Sequence, residues 1–116
     1  MAAQLDLPDI EKGATYRHVL LWTSKSKVAI NLSGVTARMH VRETVASPLV
    51  LLELTTENGR IQIAPTLGKI SLYVSSDDTT ALRGSGGVYD LELTMSNADI
   101  IRLVEGSVTF APEVTR

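Results

Sequence analysis

The sequence predicts an all-β fold: a two-sheet antiparallel β-sandwich, immunoglobulin-like or jelly-roll-like, of about seven to nine short strands. Three observations lead there. Apolar and polar residues alternate in run after run, the period of a chain whose successive side chains point to opposite faces. Gly, Pro, Asn and Asp punctuate these runs at intervals too short for helices. The one stretch with helical character, residues 76–82, is barely two turns long.

Residues 1–13 show no clear period and are broken by Pro8 and Gly13, which reads as an N-terminal arm or edge segment. The sandwich domain is expected over 14–112, with a C-terminal tail at 113–116. In 15–22, Tyr16, His18, Leu20 and Trp22 alternate with Thr15, Arg17, Val19 and Leu21. Because this strand turns apolar on both faces, burial is expected to increase toward Trp22. A polar turn at 24–27 leads to a short strand or bridge at 28–32, stopped by Ser33 and Gly34. Val35, Ala37, Met39 and Val41 then alternate with Thr36, Arg38, His40 and Arg42, giving one core face and one cationic face.

A strand at 49–54 is followed by Asn58-Gly59, the strongest short hairpin signal, so residues 60–64 are expected to pair back onto it. Pro65 and Gly68 turn the chain into 69–75, with Ile70, Leu72 and Val74 facing inward; 49–75 as a whole reads as a meander, while the number of strands leads one to expect at least one Greek-key crossing to fill two sheets. Residues 76–82 form the helical turn, capped by Ser76 or Asp77 and anchored by Leu82. The chain closes with a hairpin of 87–95 and 102–110. Its inner residues Tyr89, Leu91 and Leu93 are expected to pack with Val108 and Phe110.

With 116 residues, 44% hydrophobic and 21% charged, the chain is one globular domain. A net charge of −2 gives no general electrostatic case for nucleic acid. The absence of cysteine excludes disulfides and thiolate metal sites. Aromatic residues, at 4%, are too few for a base-stacking or sugar-stacking platform. No run of about 18 apolar residues is available to span a bilayer, and residues 1–12 do not resemble a secretory signal. Synthesis and folding in a cytoplasm are therefore expected, with no membrane partner.

No catalytic motif is visible, so no enzyme activity, metal or cofactor is expected. His18 and His40 lie on separate strands without ligand spacing. Asp77 and Asp78 read as turn and cap residues, and no Gly-x-Ser-x-Gly elbow surrounds any serine. The glycine-rich run 84–87 leads into a strand rather than a helix, so it reads as a flexible connection and not as a phosphate cradle. Asp90 and Glu92 share a strand face, where pairing with Arg38, Arg42 or Arg102 would be worth roughly 0.2–1 kcal/mol each. The candidate partner-binding residues are Arg38, His40 and Arg42, three cationic or titratable groups on one strand face.

The order of certain words in the chain resembles that of small structural proteins of tailed bacteriophages. These are Gly13-Ala14-Thr15-Tyr16, then Leu32-Ser33-Gly34-Val35-Thr36 leading to Arg38, then Asn58-Gly59, Tyr89-Asp90-Leu91-Glu92 and Gly106-Ser107-Val108. The likeness is to the N-terminal β-sandwich domain of upper-baseplate and tail-fibre-attachment proteins. That resemblance implies a structural adaptor or connector at a tail, baseplate, neck or capsid surface. It further implies a virion location after folding in the host cytoplasm, symmetric homo-oligomers and other virion proteins as partners. No coiled coil or fibre shaft follows the sandwich, which suggests a free-standing adaptor. The alternative is a carbohydrate- or receptor-binding module using loops such as 44–48 and 84–87.

Overall fold

A computed structural model describes residues 2–115; Met1 and Arg116, the outer ends of the arm and the tail, lie outside the described residues. The chain forms two packed sheets. The strands are β1 (Ala3–Gln4), β2 (Ile10–Glu11), β3 (Tyr16–Leu21), β4 (Thr36–Arg42), β5 (Leu52–Thr55), β6 (Ile61–Ala64), β7 (Lys69–Val74), β8 (Gly86–Thr94) and β9 (Ile100–Ala111). The larger sheet runs β1-β9-β8-β4-β5, with β2 also on β9, and the smaller runs β3-β7-β6. The two-sheet all-β sandwich is thus the fold of the chain.

Alternation builds the core as expected. Ala37, Met39 and Val41 on β4 and Leu91 and Leu93 on β8 are buried, as are Val108 and Phe110 on β9. Ile70, Leu72 and Val74 close the core from β7. Each such Val, Leu, Ile, Met or Phe side chain contributes roughly 1.5–3 kcal/mol on burial.

The arm is part of this core. β1 and β2 run parallel to β9, placing Ala3 opposite Val104 and Ile10 opposite Phe110, so the large sheet is not purely antiparallel. Leu7 and Ile10 are buried among the core residues. Between the two short strands the ladder breaks in a specific way. Leu5 N–H donates to the Glu105 carbonyl, and a regular parallel pair would return the Ser107 N–H to the Leu5 carbonyl. Instead Ser107 N–H donates to Asp6 Oδ1 at 3.1 Å, and the Leu5 carbonyl accepts from Tyr89 Oη at 2.6 Å. Gly106 makes room for this, because a β-carbon there would collide with the Leu5 carbonyl.

Several local expectations are corrected. Residues 60–64 do not pair back onto β5; β5 pairs with β4, and β6 pairs with β7 in the other sheet, so 49–75 is a crossover and not a meander. Asn58 explains why the hairpin signal misleads. Its Oδ1 accepts from the N–H groups of Thr55 and Arg60 and its Nδ2 donates to the Glu53 carbonyl, satisfying the backbone that a hairpin would otherwise pair. The helix α1 spans Ser76–Thr80 and is capped by Ser75, whose Oγ accepts from Asp78 N–H, not by Ser76 or Asp77. The strand expected at 49–54 begins only at Leu52, and 28–32 supplies a single bridge between Thr23 and Ala29.

Burial falls along β3 toward Trp22 instead of rising: Tyr16 is buried, while Val19 is 47% and Leu21 67% exposed. Val19 and Leu21 lie on the face of β3 turned away from the other sheet, so its second apolar face meets solvent rather than another layer. The run 84–87 is not a flexible connection either. Gly86 and Gly87 belong to β8, and a β-carbon on them would strike the Val108 carbonyl and the Arg42 carbonyl, respectively.

Candidate functional site

The outer face of the large sheet carries the three candidate residues in a row down β4. Strand register sets them into a grid. His40 lies between Glu53 on β5 and Asp90 on β8, Asp90 faces Glu105 on β9, and Arg38 lies between Thr55 and Glu92. Of this grid, Arg38, His40, Asp90, Glu92 and Glu105 join Gln4, Asp6 and Ser107 in lining a shallow concavity of about 620 Å³.

Arg102 reaches this face because of a β-bulge. Leu91 pairs with Val104 but Glu92 pairs with Arg102, leaving Leu103 as the extra residue. Regular pairing would set Leu103 opposite Glu92 and turn Arg102 to the inner face; the bulge exchanges them. Arg102 then places Nε 3.4 Å from Asp90 Oδ2 and Nη1 3.4 Å from Glu105 Oε1, bridging two carboxylates that face one another. Gln4 Nε2 donates to the other Glu105 oxygen at 2.9 Å.

The three candidates are not equivalent. Arg38 is the most exposed, and its Nη2 lies 3.8 Å from Glu92 Oε1, a solvent-screened pair of small net worth. Arg42 has turned away from the carboxylates: its Nη1 donates to the carbonyls of Ser47 and Pro48, both at 2.9 Å, clamping the 43–48 loop. Its Nη2 lies 3.4 Å from His40 Nδ1. The other ring nitrogen, Nε2, lies 2.8 Å from Glu53 Oε2, so the imidazole is held between the guanidinium and the carboxylate. His18 lies on β3 in the other sheet, and the two histidines are not brought together.

Elsewhere, Asp78 on α1 accepts from Arg60 Nη2 at 2.7 Å, and the Arg60 Nη1 donates to the Glu53 carbonyl at 2.8 Å, tying the two sheets at the crossover. That hydrogen bond and charge hold the Asp78 carboxyl below its usual value. Among the described residues, no group of three or more His, Asp or Glu is placed to hold a metal ion. No helix among them is long and apolar enough to cross a membrane.

Sequence reasoning did not single out the apolar flank of the sandwich. A groove of about 430 Å³ runs between the sheets there, lined by Leu5, Leu20, Trp22, Leu103 and Val104 among others. Leu21 and Ile101 also line it and, like Ile100 next to Ile101, are exposed. The signal was present in the two-sided apolar character of β3, which marks an uncovered edge as readily as a buried one. No protein-family model and no curated protein matches this sequence.

Proposed function

We propose that the chain is a structural adaptor or connector of a tailed-phage particle, acting by protein–protein assembly and not by catalysis. The observation that carries this reading is the apolar flank: Leu21 is 67% and Ile100 68% exposed, beside a groove lined by Leu5, Leu20, Trp22 and Leu103. Contiguous apolar surface on a small domain marks a site of association. The arginines of the charged face pair with carboxylates or carbonyls of the same chain, which leaves the apolar flank as the surface that carries the association. The word order shared with baseplate and fibre-attachment sandwiches supplies the particle context.

Carbohydrate recognition has less support. Among the described residues lining the outer concavity, Tyr89 is the one Phe, Tyr or Trp, and it is buried with its hydroxyl bonded to Leu5, so it offers no face for a sugar to stack on. A glycan array is expected to give no signal. Antibody labelling of particles in the electron microscope tests the adaptor reading: label at one repeated position on whole or partly disassembled particles is expected, and unlabelled particles with the chain left in the soluble fraction would contradict it.

A further inference from the structure

We propose that β3 is a self-pairing edge: it joins antiparallel to β3 of a second copy, with Val19 opposite Val19, fusing the two small sheets into one six-stranded sheet. This deepens the assembly reading above by naming the surface and its partner.

The direction of the backbone groups carries the argument. Tyr73 N–H donates to the carbonyl of Arg60, the residue just ahead of β6, so by alternation the backbone groups of Ile70, Leu72 and Val74 face β3. Their opposite numbers, Leu20, His18 and Tyr16, therefore bond to β7. Trp22 N–H donates to the Gly68 carbonyl, which sets the same parity from the other end. The N–H and C=O groups of Arg17, Val19 and Leu21 consequently point away from the sheet, and no hydrogen bond among the described residues reaches them.

The other edges are protected. β1 and β2 are two residues each, interrupted by Pro8, and β5 and β6 are four residues each, with Pro65 directly after β6. β3 has six residues with no Pro, Gly or bulge, and two exposed apolar side chains, Val19 and Leu21. Of the devices by which isolated edges avoid pairing it carries one, the exposed charge of Arg17.

A two-fold axis at Val19 satisfies this edge with itself. Val19 meets Val19, and Arg17 meets Leu21 on either side, every one a residue whose backbone groups face the shared edge. No like charges stand opposite. The nearest approach is Arg17 to the other copy's Lys69, which pairs with Leu21, two strand spacings or roughly 10 Å away. That distance is about one Debye length at ordinary salt, so the repulsion is largely screened. Arg17 is also drawn sideways over the Tyr73 ring, 4.7 Å from its centroid. The ladder alone is small for a stable interface, and the groove at Leu20 and Trp22, next to the axis, adds apolar area, so the dimer is expected to be concentration-dependent.

The cysteine-free chain permits a direct test. In this register the two Val19 α-carbons lie about 5.5 Å apart, within disulfide reach. Under mild oxidation Val19→Cys should give a disulfide-linked dimer as its main product at a concentration where Val45→Cys, in an exposed loop, remains mainly monomeric. Val19→Pro, which removes an outward N–H without touching the β7 ladder, should keep the thermal transition and lose the dimer seen by light scattering. Equal crosslinking of the two cysteine variants, a monomeric wild-type chain at all concentrations, or a dimer unchanged in folded Val19→Pro would each overturn the proposal. Incorporation into particles is read separately, so a chain that enters particles without this dimer refutes the β3 edge and not the adaptor reading.

Discussion

The Tyr89 hydroxyl donates to the Leu5 carbonyl across 84 positions of sequence, at 2.6 Å, and so binds the N-terminal segment to the closing hairpin. Tyr16, also buried, has a hydroxyl with no partner among the described residues. The two rings therefore respond oppositely to loss of oxygen. Tyr89→Phe leaves the turned Leu5 carbonyl unpaired and should cost about 1–3 kcal/mol, whereas Tyr16→Phe removes an unsatisfied group and should be neutral or stabilising by up to about 1 kcal/mol. Urea midpoints of the two variants check this.

Burial pushes the Tyr16 hydroxyl from 10.0 up to about 12. Burial, reinforced by Tyr16 and Asp6, does the same to Tyr89. A raised folded value means the folded state holds the proton more tightly, so this stability is complete below about pH 10 and is lost as pH rises toward 12. Wild type should weaken across that window more steeply than Tyr16→Phe, as read by urea melts at stepped pH.

Ile10 stands wholly buried opposite Phe110 on β9. Truncation to Ala should cost about 2–5 kcal/mol, as for a core position, with a matching fall in the denaturation midpoint. A loss below about 0.5 kcal/mol, the surface range, would mean the segment is a loose appendage.

Gly87 passes so close to β4 that a β-carbon would meet the Arg42 carbonyl and the Glu43 backbone. Gly87→Ala should destabilise by about 1–3 kcal/mol through displacement of the strand pair. Thermal melting measures it.

Arg42 and Arg38 share a face but not a role. Arg42→Ala strips two carbonyl bonds from the 43–48 loop and should cost about 1–2 kcal/mol, with faster amide exchange in that loop. Arg38→Ala removes an exposed 3.8 Å pair and should change stability by less than about 0.5 kcal/mol.

Strand identity and facing were legible where one face is core and the other solvent, because period-two alternation reports that environment directly, as along β4 and β8. It failed where the environment was of another kind. β3 is apolar on both faces although only its inner one packs on the core, and no local pattern separates an exposed apolar face from a covered one. Asn58-Gly59 specifies a tight turn but not the sheet its outgoing strand joins, which long-range packing decides. The β9 bulge leaves only Leu103 as an extra residue, and Arg102 reaches the charged face through it. The cationic stripe was found because it lies on one strand; Glu53, Glu105, Gln4 and Asp6, which complete that face, come from three other strands or the arm, and no spacing rule joins them.

As the proposed adaptor, this sandwich should be a fixed part of an assembled phage particle. Quantitative mass spectrometry of gradient-purified particles tests it most directly. A constant copy ratio of this chain to the major capsid protein, reproduced across preparations, is predicted; absence of the chain from particles, while it remains abundant in the soluble lysate, would contradict it.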